Sequence, residues 1–222
     1  MMFVFHFTYD LNFFGYVQIN FLADPFWANF RRFIVCSFLL LVGISITLAN
    51  RNSLNIKRFT HRLSLIITYA LLVSMGSYLM FPDSYIYFGI LHFIAVASVL
   101  GLLFRKFYWF NLLFGSGLLL LDALYSNTFF NNPAINWLGL MTYLPHTEDY
   151  VPLIPWFGVV LIGMFIGQRW FSHNKSSWIQ WQARNPLSKT LAFAGRHSLH
   201  IYILHQPIFI GLLGLISGKG FL

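Results

Sequence analysis

Charged residues and cysteine are scarce in this 222-residue chain. Asp, Glu, Lys and Arg together make up 9% of it, with only six acidic residues, and Cys36 is the single cysteine. One cysteine excludes an intramolecular disulfide framework, and a metal site would need other ligands. We therefore expect no metal. The sequence also lacks the basic flank and small-residue cleavage site of a signal peptide at its N-terminus.

Apolar residues dominate instead. The chain is 58% hydrophobic and 20% aromatic, and its mean hydropathy is +0.66. A soluble core of this size could not bury that much apolar surface, so the lipid bilayer is the expected partner. The net charge of +8 would suggest nucleic acid in a soluble domain. Here the basic residues lie in short loops between apolar runs, which is the positive-inside pattern, and we expect no nucleic-acid binding.

Several apolar segments approach the length of about 20 residues that a helix needs to cross a bilayer. A lipid-exposed backbone must satisfy its own hydrogen bonds, so each segment is predicted to be helical. The sequence predicts an all-α fold, a polytopic transmembrane helix bundle of about seven spans forming one integral-membrane domain over 1–222. The spans are about 1–17, 30–49, 63–81, 85–104, 107–125, 153–171 and 198–217, the first apparently truncated at its N-terminus.

Charge predicts the orientation of these spans. Acidic residues lie in the loops after spans one, three and five, and basic residues in the alternate loops, which places the N-terminus inside and the C-terminus outside. The basic residues are Arg51, Lys57, Arg58, Arg62, Arg105, Lys106, Arg169, Lys175, Arg184, Lys189 and Arg196; the acids are Asp24, Asp83, Glu148 and Asp149.

Smaller features add three predictions. A short interfacial helix is expected after Asn132-Pro133 in the loop 126–152, and Trp178 and Trp181 are expected to anchor the inner loop at the membrane surface. The glycines of span six are predicted to allow close packing of another helix; they are Gly158, Gly163 and Gly167.

Ionisable residues inside membrane spans are costly, so each is a functional candidate. They are His6, Asp10, His92, Asp122 and His205, and Gln206 follows the last of them. His6 and Asp10 are four residues apart and share a helix face. A carboxylate beside an imidazole fixes its tautomer or favours its protonated form, as a general base requires. The alternatives are an intrahelical polar pair facing a partner helix and, for single histidines, a hydrogen bond to a neighbouring helix.

Arg31 and Arg32 lie at the outer end of span two, where cations are normally scarce. Their side chains either extend to the lipid headgroups, or one of them faces an outer cavity and binds a polar or anionic group. The sequence leaves both interpretations open.

Five stretches occur in an order that resembles one family. They are FHFTYDLNFFG, RRFIVCSFLLLVGIS, YIYFGILHFIA, DYVPLIPWFGVVLIGMFIG and GRHSLHIYILHQPI. Over about residues 1–217 the chain is similar to the catalytic domain of heparan-alpha-glucosaminide N-acetyltransferase, in its short bacterial form. The resemblance implies an enzyme of a bacterial inner membrane, within the wider membrane acyltransferase group. It would move acetyl from cytoplasmic acetyl-CoA, its co-substrate, to a sugar-type amine or hydroxyl at the outer face.

The resemblance also implies roles for single residues. His6 matches the family's catalytic histidine, although the arginine expected eleven residues earlier falls upstream of Met1. His6 would act as a base or carry the acetyl group, and Asp10 would orient it. Arg32, with Arg31, would bind the acceptor or polarise a carbonyl. Asp149 would be an acceptor ligand or a helix N-terminal acid. The remaining residues, His92, His205 and Gln206, would line the substrate passage.

Two other functions stay open at this point. The same histidines could relay protons or bind solute in a small transporter, although no inverted repeat is evident. The chain could also be an inactive, truncated member of the family. Its oligomeric state is not determined by the sequence, and a homo-oligomer is compatible with it.

Overall fold

The computed structural model describes residues 1–21, 23–50, 54–171 and 184–218, with the backbone alone at Phe171. The predictions that concern Arg51, Lys175, Trp178 and Trp181 lie outside the described residues. Within them all regular structure is helical. The helices are α1 (Met2–Phe13), α2 (Pro25–Ala49), α3 (Ile56–Met80), α4 (Ile90–Phe104), α5 (Trp109–Leu124), α6 (Leu153–Phe171), α7 (Pro186–Arg196) and α8 (Ser198–Ser217).

Four of these helices are long and apolar enough to cross a membrane, namely α2, α3, α6 and α8. Two others, α4 and α5, are apolar but shorter. The 12 residues of α1 extend about 18 Å at ~1.5 Å per residue. The all-α fold class is therefore confirmed for the described residues, and the length and apolar composition of these helices agree with a membrane bundle. The number of seven spans stays a prediction.

Polar caps explain where two helices, α2 and α3, begin. Asp24 Oδ1 accepts a 2.8 Å hydrogen bond from the backbone N–H of Phe26, so α2 begins at Pro25, before residue 30. Asn55 accepts from the N–H of Arg58 at 3.0 Å, and α3 begins at Ile56 rather than at 63. These side chains satisfy backbone donors that no helical turn can reach. The predicted boundaries were too late because only the apolar run was counted.

Helix α7 was not predicted from the sequence, although its start signal is present. Asn185 Oδ1 accepts a 2.7 Å hydrogen bond from the N–H of Ser188, and Pro186 occupies the first helical position, where proline is favoured. In the loop 126–152 the expected interfacial helix is replaced by two short 3₁₀ turns, Thr128–Asn131 and Asn136–Leu138.

The chain divides into two compact units, which are described separately. The terminal unit comprises Met1–Val35 with Gln180–Leu222, and the central unit comprises Cys36–Ile179. In the terminal unit α8 packs against α1 and α7. An aromatic cluster of Phe5, Phe21, Trp27 and Phe30 joins α1 to the start of α2.

Close helix packing in the central unit depends on glycine, as predicted for span six. A Cβ on Gly163 would lie 2.4 Å from the backbone oxygen of Leu40 in α2, and one on Gly158 would lie 2.5 Å from that of Gly115 in α5. A Cβ on Gly167 would lie 3.0 Å from Cβ of Thr47. The missing side chains therefore allow the backbones of α2 and α5 to approach α6.

The central unit has a basic end and an acidic end. At the basic end, which carries Arg105, Lys106 and Arg169, the side chain of Gln168 donates a 2.9 Å hydrogen bond to the backbone oxygen of Arg105. At the acidic end, which carries Asp83, Glu148 and Asp149, Ser84 donates a 2.7 Å hydrogen bond to Glu148. This separation of charge within the fold agrees with the pattern used to predict orientation.

Candidate functional site

The candidate site lies in the terminal unit, where α1 meets α8. The side-chain amide of Gln206 donates a 2.7 Å hydrogen bond to Oδ1 of Asp10. The imidazole rings of His6 and His205 lie 5.0 Å apart, centre to centre. Two predicted catalytic residues on α1 and two predicted passage residues on α8 thus form one polar cluster.

His6 is only partly exposed, as is Gln206. The His6 side chain makes no hydrogen bond with the residues that the structure describes. Phe5 packs edge-on against it, with ring centres 5.7 Å apart. An imidazole with its nitrogens unengaged and partly open can receive a proton or form a bond to a substrate.

His205 is more enclosed. Only 7% of it is exposed, and its ring contacts Phe3, Phe209 and Tyr202 as well as His6. Its Nδ1 lies 2.5 Å from the backbone oxygen of Tyr202. A carbonyl oxygen only accepts hydrogen bonds, so we assign the proton to Nδ1. In the neutral ring, Nε2 then holds the lone pair.

Three buried atoms of the cluster have no hydrogen-bond partner among the described residues. They are Oδ2 of Asp10, Oε1 of Gln206 and Nε2 of His205. Asp10 itself is only 3% exposed. Buried polar atoms are usually paired, because an unpaired one costs roughly 1–3 kcal/mol. All three atoms are hydrogen-bond acceptors, so only an N–H or O–H group could pair with them.

Arg31 and Arg32 also belong to the terminal unit but lie exposed on α2. The guanidinium of Arg32 donates a long 3.4 Å hydrogen bond to Oδ1 of Asn29, one turn earlier. This bond is local to α2. Their predicted substrate-binding role stays a prediction.

His92 belongs to the central unit, and its hydrogen bonds tie the start of α4 to α3. The predicted span began at residue 85, but residues 85–89 are not helical. His92 therefore lies in the first turn of α4. Its Nδ1 accepts from the N–H of Gly89 at 3.3 Å, and its Nε2 lies 3.2 Å from Oγ of Ser74. Ser74 in turn donates to the backbone oxygen of Ile86 at 2.6 Å. His92 thus has the tautomer opposite to that of His205.

Asp149 also supports α4. Its Oδ2 accepts a 2.8 Å hydrogen bond from the backbone N–H of Ile90, and a Cβ on Gly89 would lie 2.4 Å from the same oxygen. Of the two predicted roles, this geometry is that of a helix N-terminal acid, and the helix is α4 rather than α6.

A second polar cluster, not predicted from the sequence, lies in the central unit, where the loop 126–152 meets the segment before α4. Asn136 is 6% exposed; its Nδ2 donates to the hydroxyl of Tyr87 at 2.7 Å. The hydroxyl of Tyr150 donates to the backbone oxygen of Asn136 at 2.6 Å. Burial raises the pKa of Tyr150, so this donor stays protonated. No spacing in the sequence links positions 87, 136 and 150.

Comparison with known protein families gives one match. The family described as heparan-alpha-glucosaminide N-acetyltransferase, catalytic, matches residues 1–207. The chain belongs to this family. Comparisons with curated proteins and with solved structures gave no match. The matched residues include His6, Asp10, His205 and Gln206, so the whole α1–α8 cluster lies within the catalytic region of the heparan-alpha-glucosaminide N-acetyltransferase family.

Proposed function

We propose that this membrane protein is an acetyltransferase that moves an acetyl group from acetyl-CoA to a sugar-type acceptor. The observation that carries the proposal is the α1–α8 cluster, in which His6 lies against His205 while Gln206 holds Asp10. It brings a half-buried imidazole beside buried hydrogen-bond-accepting atoms, within the region that the family matches. Membership of the family supports the reaction, and the cluster supports its location.

In this proposal His6 is the catalytic residue. The acceptor loses a proton, a bond forms from its nitrogen or oxygen to the acetyl carbon, the carbon–sulfur bond breaks, and the sulfur ends protonated. His6 receives either the acceptor's proton, as a general base, or the acetyl group, as a nucleophile. Both roles need an unengaged ring nitrogen, which His6 has with respect to the described residues.

The description of the family, an N-acetyltransferase of a glucosaminide, favours an amine over a hydroxyl as the acetyl acceptor. Oδ2 of Asp10 and Oε1 of Gln206 are too enclosed to contact the acceptor directly, so they do not decide between the two. We therefore propose an amino sugar as the preferred acceptor. Arg32, with Arg31, would contact other polar groups of the acceptor from the exposed face of α2.

The donor would approach from the opposite side of the membrane. Lys189 and Arg196 on α7, with Arg184 just before it, are exposed cations of the terminal unit. Guanidinium and ammonium groups are the side chains that bind phosphate, so these residues would hold the CoA phosphates. The proposed topology has seven spans, with this segment in the cytoplasm, the N-terminus inside and the C-terminus outside a bacterial inner membrane.

Acetyl transfer by purified protein tests the proposal. The protein in lipid nanodiscs is incubated with acetyl-CoA and glucosamine, glucose or N-acetylglucosamine; free thiol and acetylated product are both measured. We expect acetylated glucosamine, less product from glucose, and none at the blocked amine of N-acetylglucosamine. Thiol release without acetylated product, or no reaction with any acceptor in a folded sample, would contradict the proposed function.

A further inference from the structure

His205 has the features of a proton acceptor that works through His6. Two observations of the terminal unit point to this role. The backbone oxygen of Tyr202 fixes the proton of the neutral ring on Nδ1, and the lone pair at Nε2 is buried without a partner among the described residues. His92, which joins α4 to α3, differs in that both of its ring nitrogens have partners.

The surroundings of His205 determine where a proton can come from. Phe3 stacks on the ring at 5.3 Å, and Phe209 meets it edge-on at 5.8 Å. These apolar walls keep the ring 7% exposed, which limits direct approach by a substrate. His6, at 5.0 Å, contributes the nearest ring, and it is the one of the pair that is partly open.

We propose that His205 is the second member of a histidine proton relay, a positioning residue that acts through His6. This inference rests on the proposed function. The two rings lie 5.0 Å apart, centre to centre, and are not hydrogen-bonded to each other. When one ring nitrogen of His6 gains the acceptor's proton or the acetyl group, the ring must turn so that its other nitrogen releases its proton to Nε2 of His205. His6 ends neutral, and His205 becomes a cation that still donates from Nδ1 to Tyr202. His205 then returns the proton through His6, and the proton ends on the sulfur freed from the acetyl carbon.

The tautomer of His205 can be observed without catalysis. In protein labelled with ¹⁵N at its eight histidines, NMR distinguishes protonated from unprotonated ring nitrogens. We expect His205 to be protonated at Nδ1 and His92 at Nε2, with His205→Asn and His92→Asn identifying the signals. A neutral His205 protonated at Nε2 would overturn the relay, because the lone pair would then point to the wrong partner.

Kinetics tests the relay itself. In His205→Asn the amide nitrogen replaces Nδ1 as donor to Tyr202, while the acceptor at Nε2 is lost. We expect kcat with acetyl-CoA and glucosamine to fall by about 10²-fold or more, the contribution typical of proton transfer by a side chain, with KM changed little. We also measure kcat against the fraction of D₂O in the solvent. The plot should be curved in the wild type, because two protons move in the relay, and straight in the variant, where one moves.

His197→Asn is the matched control, since Nδ1 of His197 lies 3.0 Å from the backbone oxygen of Phe193 on an exposed surface. It should keep the wild-type kcat and the curved isotope dependence. An unchanged kcat or isotope curve in a folded His205→Asn protein would overturn the relay alone. A wild-type protein that transfers no acetyl group would instead contradict the proposed function.

Discussion

The amide of Gln206 on α8 donates a 2.7 Å hydrogen bond to the carboxylate of Asp10 on α1, 196 positions away in sequence. This bond connects the opening helix to the last helix and lies beside the two histidine rings. It makes Asp10 part of an interhelical contact, one of the two alternatives that its spacing from His6 left open, while His6 remains without such a bond among the described residues.

The Asp10–Gln206 bond should contribute to stability in a double-mutant cycle. Interhelical hydrogen bonds in membranes contribute about 0.6 kcal/mol on average and about 1.7 kcal/mol at most. We expect a coupling energy in that range between Asp10→Ala and Gln206→Ala, measured from SDS-induced unfolding of the two single variants and the double variant. Strictly additive effects would show that the two side chains do not interact in the folded protein.

Gly163 should not tolerate even a methyl group. An alanine Cβ there would lie 2.4 Å from the backbone oxygen of Leu40, so α2 and α6 would have to separate. Overpacking of this kind costs typically about 1–3 kcal/mol, and we expect Gly163→Ala to lose about that much in the same unfolding assay. Gly117→Ala is the control, since its Cβ would meet nothing within 4 Å. Equal stability of the two variants would contradict the packing described here.

Asp149 should act on stability rather than on substrate binding. Asp149→Ala removes the acceptor for the N–H of Ile90 and should cost about 0.5–2 kcal/mol, as for other N-terminal caps. Asp149→Asn keeps an oxygen in place and should lose less, and exposed Asp83→Ala should have little effect. Kinetics of the three variants provides the second measurement. A rise in the acceptor KM for Asp149→Asn, at unchanged stability, would restore the acceptor-ligand role.

The two ends of the central unit should face opposite sides of the membrane. In a Cys36→Ser background, Asp83→Cys places a thiol at the acidic end and Lys106→Cys places one at the basic end; both positions are exposed. A membrane-impermeant maleimide added to intact cells should label position 83 at once and position 106 only after permeabilisation. The reverse pattern would invert the proposed orientation.

The sequence predicted the fold class and the packing glycines because both depend on local composition. It missed α7, whose start is given by Asn185 and Pro186 rather than by an apolar run. It extended the fourth span over residues 85–89, which are not helical. There the N–H of Ile86 donates to Oγ of Ser77, and Oγ of Ser74 donates to the backbone oxygen of Ile86. Tertiary hydrogen bonds of this kind leave no periodic pattern.

The candidate site was predicted in parts but not as a whole. The spacing of His6 and Asp10 indicated a shared helix face, and the cost of burying His205 marked it as functional. Their contact joins residues 6 and 205, and no spacing rule connects positions so far apart. The tautomer of His205 depends on one backbone oxygen, that of Tyr202, which the sequence offers equally to any helical histidine.

The central claim is that His6 carries acetyl transfer. The most direct measurement compares the rate of acetyl-glucosamine formation from acetyl-CoA by wild-type protein, His6→Asn and His61→Asn, each reconstituted in lipid and verified to be folded. His61 is an exposed histidine of α3 and serves as the matched control. We expect His6→Asn to lose activity by about 10²–10⁴-fold, while His61→Asn keeps the wild-type rate. Wild-type turnover in His6→Asn would contradict the account.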